Sequence, residues 1–161
     1  MDDLSILATT AEVSVAFAGF IGIFLVLATR DGRFASRDAF SIRVIVICSV
    51  SPVFYSAVPL VLHSLGVSGA TLWRISSGLV ALACGAVGAY LVPQGRALEI
   101  ARSLSVLVAW GLGVLSMLCL VANVLAWPWA PSGGLYIAAV WSGITVAGMS
   151  FVRLILIRVL D

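Results

Sequence analysis

Apolar residues form five long runs along the chain, separated by short segments rich in Gly, Pro, Ser and charge. The runs extend over about residues 4–28, 39–62, 72–92, 103–127 and 135–160. About 20 apolar residues in a helix that rises about 1.5 Å per residue span the roughly 30 Å of hydrocarbon in a bilayer. The pattern therefore predicts an all-α fold, a polytopic transmembrane helix bundle of five spans in one domain over residues 1–161, with no soluble domain.

The arginines indicate how the bundle is oriented. Five spans place the termini on opposite sides of the membrane, which divides the chain's nine arginines into a set of eight and Arg74 alone. The eight are Arg30, Arg33, Arg37, Arg43, Arg96, Arg102, Arg153 and Arg158. Because basic residues accumulate on the cytoplasmic side, we predict a cell-membrane protein with its N-terminus outside and its C-terminus in the cytoplasm. Four aromatic residues are expected at the outer helix ends, among lipid headgroups: Trp73, Trp127, Trp129 and Tyr136.

Composition narrows the function classes further. The chain is 62% hydrophobic and 10% charged, as expected of an integral membrane protein. Its scattered arginines form no basic patch, which argues against nucleic-acid binding. Three cysteines in separate apolar runs and one histidine, His63, predict no disulfide framework, no metal site and no cofactor. The chain carries none of the common catalytic motifs, so we predict no enzymatic activity and no catalytic residue.

Glu12 is the polar residue that most needs an explanation. It lies about eight residues into the first predicted span, and a charged side chain at such a depth costs at least about 2.5 kcal/mol. Glu12 either binds a proton or cation, or pairs with Arg74, the only arginine of the predicted outer half. Asn123 and His63 are predicted in the same leaflet. The four residues would form either a polar lock between helices or a vestibule for an ion or small solute.

The second run carries a seven-residue repetition. Its members are Ser49, Ser56 and His63, with Pro52 and Pro59 each three residues after a serine. Seven residues are nearly two helical turns, so all five lie along one stripe. The prolines leave the carbonyls of Cys48 and Tyr55 without helical donors. The stripe therefore predicts either a polar pathway towards His63 or a kinked helix whose serines satisfy its own backbone.

Two arginines, Arg43 and Arg153, are predicted one to two turns inside the cytoplasmic boundary. Their side chains either extend to lipid phosphates or form a ring that attracts anions in a symmetric oligomer.

Small residues predict where helices approach closely. Stripes around Gly85 in the third run and Gly143 in the fifth favour close packing, within one subunit or in a homo-oligomer. In the first run Glu12 shares a face with small residues, and this face is expected to meet protein or enclosed water. The phenylalanine face of the same run is expected to meet lipid.

Two short motifs resemble those of the small multidrug resistance transporters: Ala11-Glu12-Val13 in the first run and Trp141-Ser142-Gly143 in the last. In that family a first-helix glutamate exchanges protons for cationic substrates, so the resemblance implies this role for Glu12. The resemblance covers these six residues. It differs from that family's pattern in two respects, since the family has four spans and carries Trp-Ser-Gly on the third. The layout also resembles small uncharacterised bacterial membrane proteins through Ala11-Glu12, Leu72-Trp73-Arg74 and Phe151-Val152-Arg153-Leu154.

The expected function follows from five short-looped helices without a soluble domain. We predict a subunit of an ion channel or transporter, assembled as a homo-oligomer in the lipid bilayer, with its polar cluster around Glu12. The alternative is a membrane scaffold or sensor that acts through helix association with a partner protein.

Overall fold

The chain folds into long helices, which the computed structural model describes over residues 2–29, 36–97, 104–127 and 130–160. Within these residues there are five helices: α1 (Asp3–Thr29), α2 (Ser36–Ser64), α3 (Gly69–Ala97), α4 (Leu104–Leu125) and α5 (Gly133–Leu160). Each is long and apolar enough to cross a membrane. The predicted all-α bundle is confirmed, and every predicted run coincides with one helix. Arg30, Arg33, Arg102 and Trp129 lie outside the described residues.

Successive helices run in opposite directions, so the bundle has two ends. At one end Asp3, in the first turn of α1, lies against Gly133 at the start of α5. At the other end Arg43, in the first turns of α2, binds Gln94 in the last turns of α3. The first is termed the Asp3 end and the second, which also holds Arg153, the Arg153 end.

Four helices form a ring and the fifth lies outside it. Around the ring α2 packs against α3, α3 against α4, α4 against α5 and α5 against α2, while α1 packs against α2 and α5. One buried apolar cluster joins the helices in the half nearer the Asp3 end, through Leu7, Val80, Leu120, Tyr136, Ala139 and Val140. A second holds α1, α2 and α5 together nearer the Arg153 end, through Ile21, Ile45, Phe151 and Leu154.

The phenylalanines of α1 attach this helix to the ring. Phe17 and Phe24 meet Phe151 of α5 edge to face, with ring centroids 6.4 and 4.9 Å apart. Such pairs add about 0.5–1.5 kcal/mol beyond the burial of their area. The prediction that this face meets lipid is therefore wrong for Phe17 and Phe24, because large rings fill the α1–α5 groove better than small residues would. Phe20 is 58% exposed.

Candidate functional site

Of the four polar residues predicted to converge, Arg74 and Asn123 both link α3 to α4, through Val124 and Ser77, whereas Glu12 does not join them. Glu12 is exposed about a third of the way along α1 (Asp3–Thr29) and forms no hydrogen bond or ion pair with any residue that the structure describes. The Nε of Arg74 donates to the carbonyl of Val124 at 3.1 Å, in the last turn of α4. His63 is exposed at the end of α2. Since α1 packs against α2 and α5, Glu12 and Arg74 do not pair within the described chain.

Asn123 joins three segments at the Asp3 end. Its side chain is fully buried, and its Nδ2 donates to Ser77 Oγ at 3.0 Å and to the Ser132 carbonyl at 2.9 Å. Its Oδ1 accepts the Ser132 N–H at 2.9 Å. The hydroxyl of Ser132 in turn accepts the N–H of Leu135, in the first turn of α5. Both amide protons of Asn123 are thus used, and the arrangement has the geometry of a structural lock.

The serine and proline stripe of α2 faces neighbouring helices. Ser49, Ser56, Pro52 and Pro59 are buried, and His63 alone of the stripe is exposed. The hydroxyl of Ser49 donates to the Val46 carbonyl at 3.1 Å, whereas that of Ser56 has no partner among the described residues. The stripe therefore packs into the bundle, but its serines do not satisfy the released carbonyls, since Ser49 bonds Val46 and Ser56 has no described partner.

A tyrosine of α5 satisfies one of the carbonyls that the prolines release. Pro59 removes the helical donor for the Tyr55 carbonyl, and the Tyr136 hydroxyl donates to this oxygen at 2.5 Å. Tyr136 is 0% exposed, so the prediction that it anchors the helix among headgroups is wrong. Its polar tip is needed inside the bundle, where an unpaired carbonyl would be costly.

Replacing Tyr136 with phenylalanine is expected to lower the free energy of unfolding by about 1–2 kcal/mol, because the Tyr55 carbonyl then loses its donor without gaining water. Denaturant titration in mixed micelles measures this change. The matched control is Tyr90→Phe, which removes a half-exposed hydroxyl that accepts from Arg43 at 3.2 Å. Equal effects of the two substitutions would contradict a special role for the Tyr136 hydroxyl.

The predicted glycine contacts differ in kind. A Cβ on Gly143 would lie 3.6 Å from Cγ of Pro52 and 4.0 Å from the carbonyl oxygen of Cys48. These are ordinary van der Waals distances, so α5 packs on α2 at Gly143 beside the second carbonyl that a proline releases, with room for a methyl group. A Cβ on Gly85 would meet only the end of the flexible Met117 side chain, at 3.8 Å. Both contacts lie within one chain.

A cavity of about 480 Å³ lies inside the ring of α2, α3, α4 and α5. Its lining extends from Tyr55 and Ala139, in the half nearer the Asp3 end, to Phe40 and Arg153 at the Arg153 end, with Trp110 contributed by α4. The walls are mostly apolar and the cavity is partly open. Its volume falls within the roughly 300–1,000 Å³ typical of small-molecule sites.

A few polar groups interrupt the apolar wall of the cavity. Towards the Asp3 end the polar lining residues are Tyr55, Cys84 and Ser51. At the other end Arg153 is partly buried, lines the cavity, and forms no hydrogen bond or ion pair with any described residue. The cavity can therefore accept an apolar body and offers polar contacts at two levels.

Arg43 lies near the same end of the bundle but has its own partners. Its Nη1 donates to Gln94 Oε1 at 2.6 Å and to the Tyr90 hydroxyl at 3.2 Å, and its guanidinium lies 6.0 Å from the centroid of the Tyr90 ring. Arg43 therefore links α2 to α3.

Sequence reasoning missed the cavity. Its weak signal is the segment Trp110-Gly111-Leu112-Gly113 in the middle of the fourth run, where glycines stand without a helix-packing stripe. Gly113 lines the cavity, and a Cβ added to it would have no atom within 4 Å. Among the described residues no group of three or more His, Cys, Asp or Glu side chains could hold a metal ion.

Comparisons with known proteins add no name to this site. No protein-family model, no curated protein and no solved structure matches the chain.

Proposed function

We propose that the protein is a small membrane carrier or transporter subunit that holds an apolar molecule inside its four-helix ring. The cavity of about 480 Å³ between α2, α3, α4 and α5 carries the proposal. Protein interiors are packed as densely as organic crystals, with few voids larger than a water molecule. A space many times the roughly 30 Å³ of one water is therefore a feature that a binding function explains.

The chemistry of the wall favours an apolar solute over a bare ion. Ion pathways replace the hydration shell with rings of carbonyls or charged side chains. The wall of this cavity consists mostly of aliphatic and aromatic carbon. Its polar members are Tyr55, two cysteines, five serines and, at one end, Arg153. Apolar cavities exclude water and bind apolar molecules instead.

The predicted orientation assigns one end of the cavity to the cytoplasmic side. The Arg153 end is the arginine-rich end, which the positive-inside rule assigns to the cytoplasm. From that end the cavity reaches past the middle of the bundle to Ala139. On this proposal the molecule exchanges with the cytoplasmic leaflet or the cytoplasm.

Filling the cavity is expected to abolish binding. Gly113→Leu places an isobutyl group where the wall is open, so the helix need not move while the space is lost. The measurement is quenching of Trp110 fluorescence, with the other four tryptophans replaced by phenylalanine. Dibromostearic acid methyl ester, a neutral apolar quencher, should give a saturable signal, and Gly113→Leu should weaken its binding at least about fivefold.

Gly111→Leu is the matched control for this substitution. It lies two residues away on the same helix, also has nothing within 4 Å of its Cβ, and does not line the cavity. It should leave quenching unchanged. Quenching that fails to saturate, or that both substitutions leave unaffected, would contradict the proposed function.

A second candidate function is helix association, supported by Glu12. An exposed carboxyl side chain about three turns into a membrane-spanning helix, without a partner among the described residues, calls for cover from outside the chain. Such cover implies a homo-oligomer or a partner protein, as in a membrane scaffold. The two functions use different surfaces and are compatible, since the cavity lies inside the ring and Glu12 lies on α1 outside it.

A further inference from the structure

We propose that the cavity takes an amphipathic molecule with an anionic head group, and that the Arg153 guanidinium holds this head group. The inference rests on the proposed function, because it assigns the chemical class of the molecule in the same cavity. The ligand is an acyl-like chain that ends in a carboxylate or a phosphate.

Arg153 has a guanidinium without a partner in the described chain. The residue is partly buried near one end of α5 and lines the cavity. A guanidinium carries five N–H donors in a planar fork, which fits a carboxylate or phosphate through two parallel hydrogen bonds. A charged side chain beside hydrocarbon is costly unless it meets such a group or water. The donor set is therefore free to receive an anion at the edge of the cavity.

Arg43 shows that not every arginine at this end has free donors. Its guanidinium is bound by Gln94 and Tyr90, and it does not line the cavity. Arg153 differs from Arg43 in both respects. The contrast places the anion-binding capacity at Arg153 and makes Arg43 an internal control.

The length of the cavity fits a chain attached to that head group. Along α5 the lining extends from Ala139 to Arg153, which is fourteen residues or about 21 Å of helix. One leaflet contributes about 15 Å of hydrocarbon. The apolar wall towards Ala139 thus accommodates a tail of leaflet length, while Arg153 meets the head group at the level where a leaflet places it.

The test compares charged and neutral probes in the protein with Trp110 as its sole tryptophan. Dibromostearic acid is compared with its methyl ester, and dibrominated phosphatidylglycerol with dibrominated phosphatidylcholine, all at fixed salt. In the protein that retains Arg153, we expect the anionic probe of at least one pair to bind about tenfold more tightly than its neutral partner. Preference within the fatty acid pair identifies a free carboxylate as ligand, and preference within the phospholipid pair identifies a lipid head group.

Arg153→Gln should abolish this preference and leave binding of the neutral member unchanged. Arg43→Gln should leave the preference intact. Arg153→Lys keeps the charge but loses the planar fork, so about threefold preference for the anionic probe should remain. This variant replaces Arg153→Gln as the test if the glutamine variant does not fold.

Two further outcomes would refute the anionic ligand class and the proposed function separately. Equal binding within both pairs, or a preference that survives Arg153→Gln, would refute the anionic class while neutral probes still report the cavity. Loss of saturable quenching by every probe would refute the proposed function itself.

Discussion

Asn123→Ala is expected to lower the free energy of unfolding by about 3 kcal/mol. The substitution leaves Ser77 Oγ and both backbone groups of Ser132 without the partners they have in the native chain. Each buried polar group without a partner costs about 1–3 kcal/mol, and less where water reaches it near the membrane surface. The expected loss is therefore larger than for any single hydroxyl in the bundle.

The position of Asn123 adds to this expectation. After α4 ends, Ala126 adopts a φ of 54°, in the left-handed region that costs a residue with a Cβ roughly 1–2 kcal/mol. The chain must then return to Ser132, whose hydroxyl accepts the N–H of Leu135 in the first turn of α5. Asn123 fixes both sides of this connection, so its loss releases the start of α5 as well.

The measurement is reversible denaturation in mixed micelles, with Ser116→Ala as the control. Ser116 lies on the same helix and donates one hydrogen bond, to the Ala139 carbonyl at 3.0 Å. Its loss should cost about 1 kcal/mol. Ser77→Ala, which removes one of the three contacts of Asn123, should lie between the two. If Asn123→Ala cost no more than Ser116→Ala, Asn123 would not be a lock.

The five spans could be predicted because bilayer thickness sets helix length directly. Apolar runs of this length have few other folds, and the observed α1 (Asp3–Thr29) matches the predicted run 4–28 closely. Only α3 (Gly69–Ala97) extends well beyond its run, 72–92. Its last turns contain Pro93, a residue that usually interrupts a helix, and the polar residues Gln94 and Arg96, so the apolar pattern ends before the helix does.

Which helix face meets which neighbour could not be predicted. In lipid both sides of a helix are apolar, so hydropathy does not distinguish a protein contact from a lipid contact. Tyr136 looked like a headgroup anchor because it lies near a helix end, yet a carbonyl released by Pro59 draws its hydroxyl inward. The proline spacing did reveal that the Tyr55 carbonyl needed a donor, although not which residue would supply it.

The cavity was harder still to predict, because it depends on what is missing between helices. Gly88, Gly113 and Gly143 all line it, yet an added Cβ would have no atom within 4 Å at Gly88 and Gly113 and would contact Pro52 at Gly143. A glycine that permits close packing and one that borders a void are identical in sequence. Arg153 was recognised as a charge near one end of the bundle, and only the fold places it on the cavity wall.

Two copies of the chain are expected to associate through the face of α1 that carries Glu12. Thr9, Glu12, Ala16 and Gly19 are exposed along this face, and a Cβ on Gly19 would meet nothing within 4 Å. A two-fold axis along the membrane normal would bring the same face of a second copy opposite, with small residues that permit close approach. Glu12 would then meet the carboxyl group of its counterpart near the axis instead of hydrocarbon.

Glu12→Leu is expected to weaken this dimer about tenfold, since polar contacts between membrane helices contribute about 1–2 kcal/mol in model peptides. Glu12→Gln keeps a hydrogen-bonding side chain and should retain most of the dimer.

The measurement is oxidative cross-linking of Ala16→Cys in a protein without the native cysteines. The control for random encounters is Leu82→Cys, at a position 75% exposed on α3. Ala16→Cys should give a linked dimer that Glu12→Leu removes. If both cysteine variants cross-linked equally, or Glu12→Leu changed nothing, α1 would not be the interface. Glu12 would then stand as an independent proton or cation site, whose test is loss of solute flux in Glu12→Gln without loss of stability.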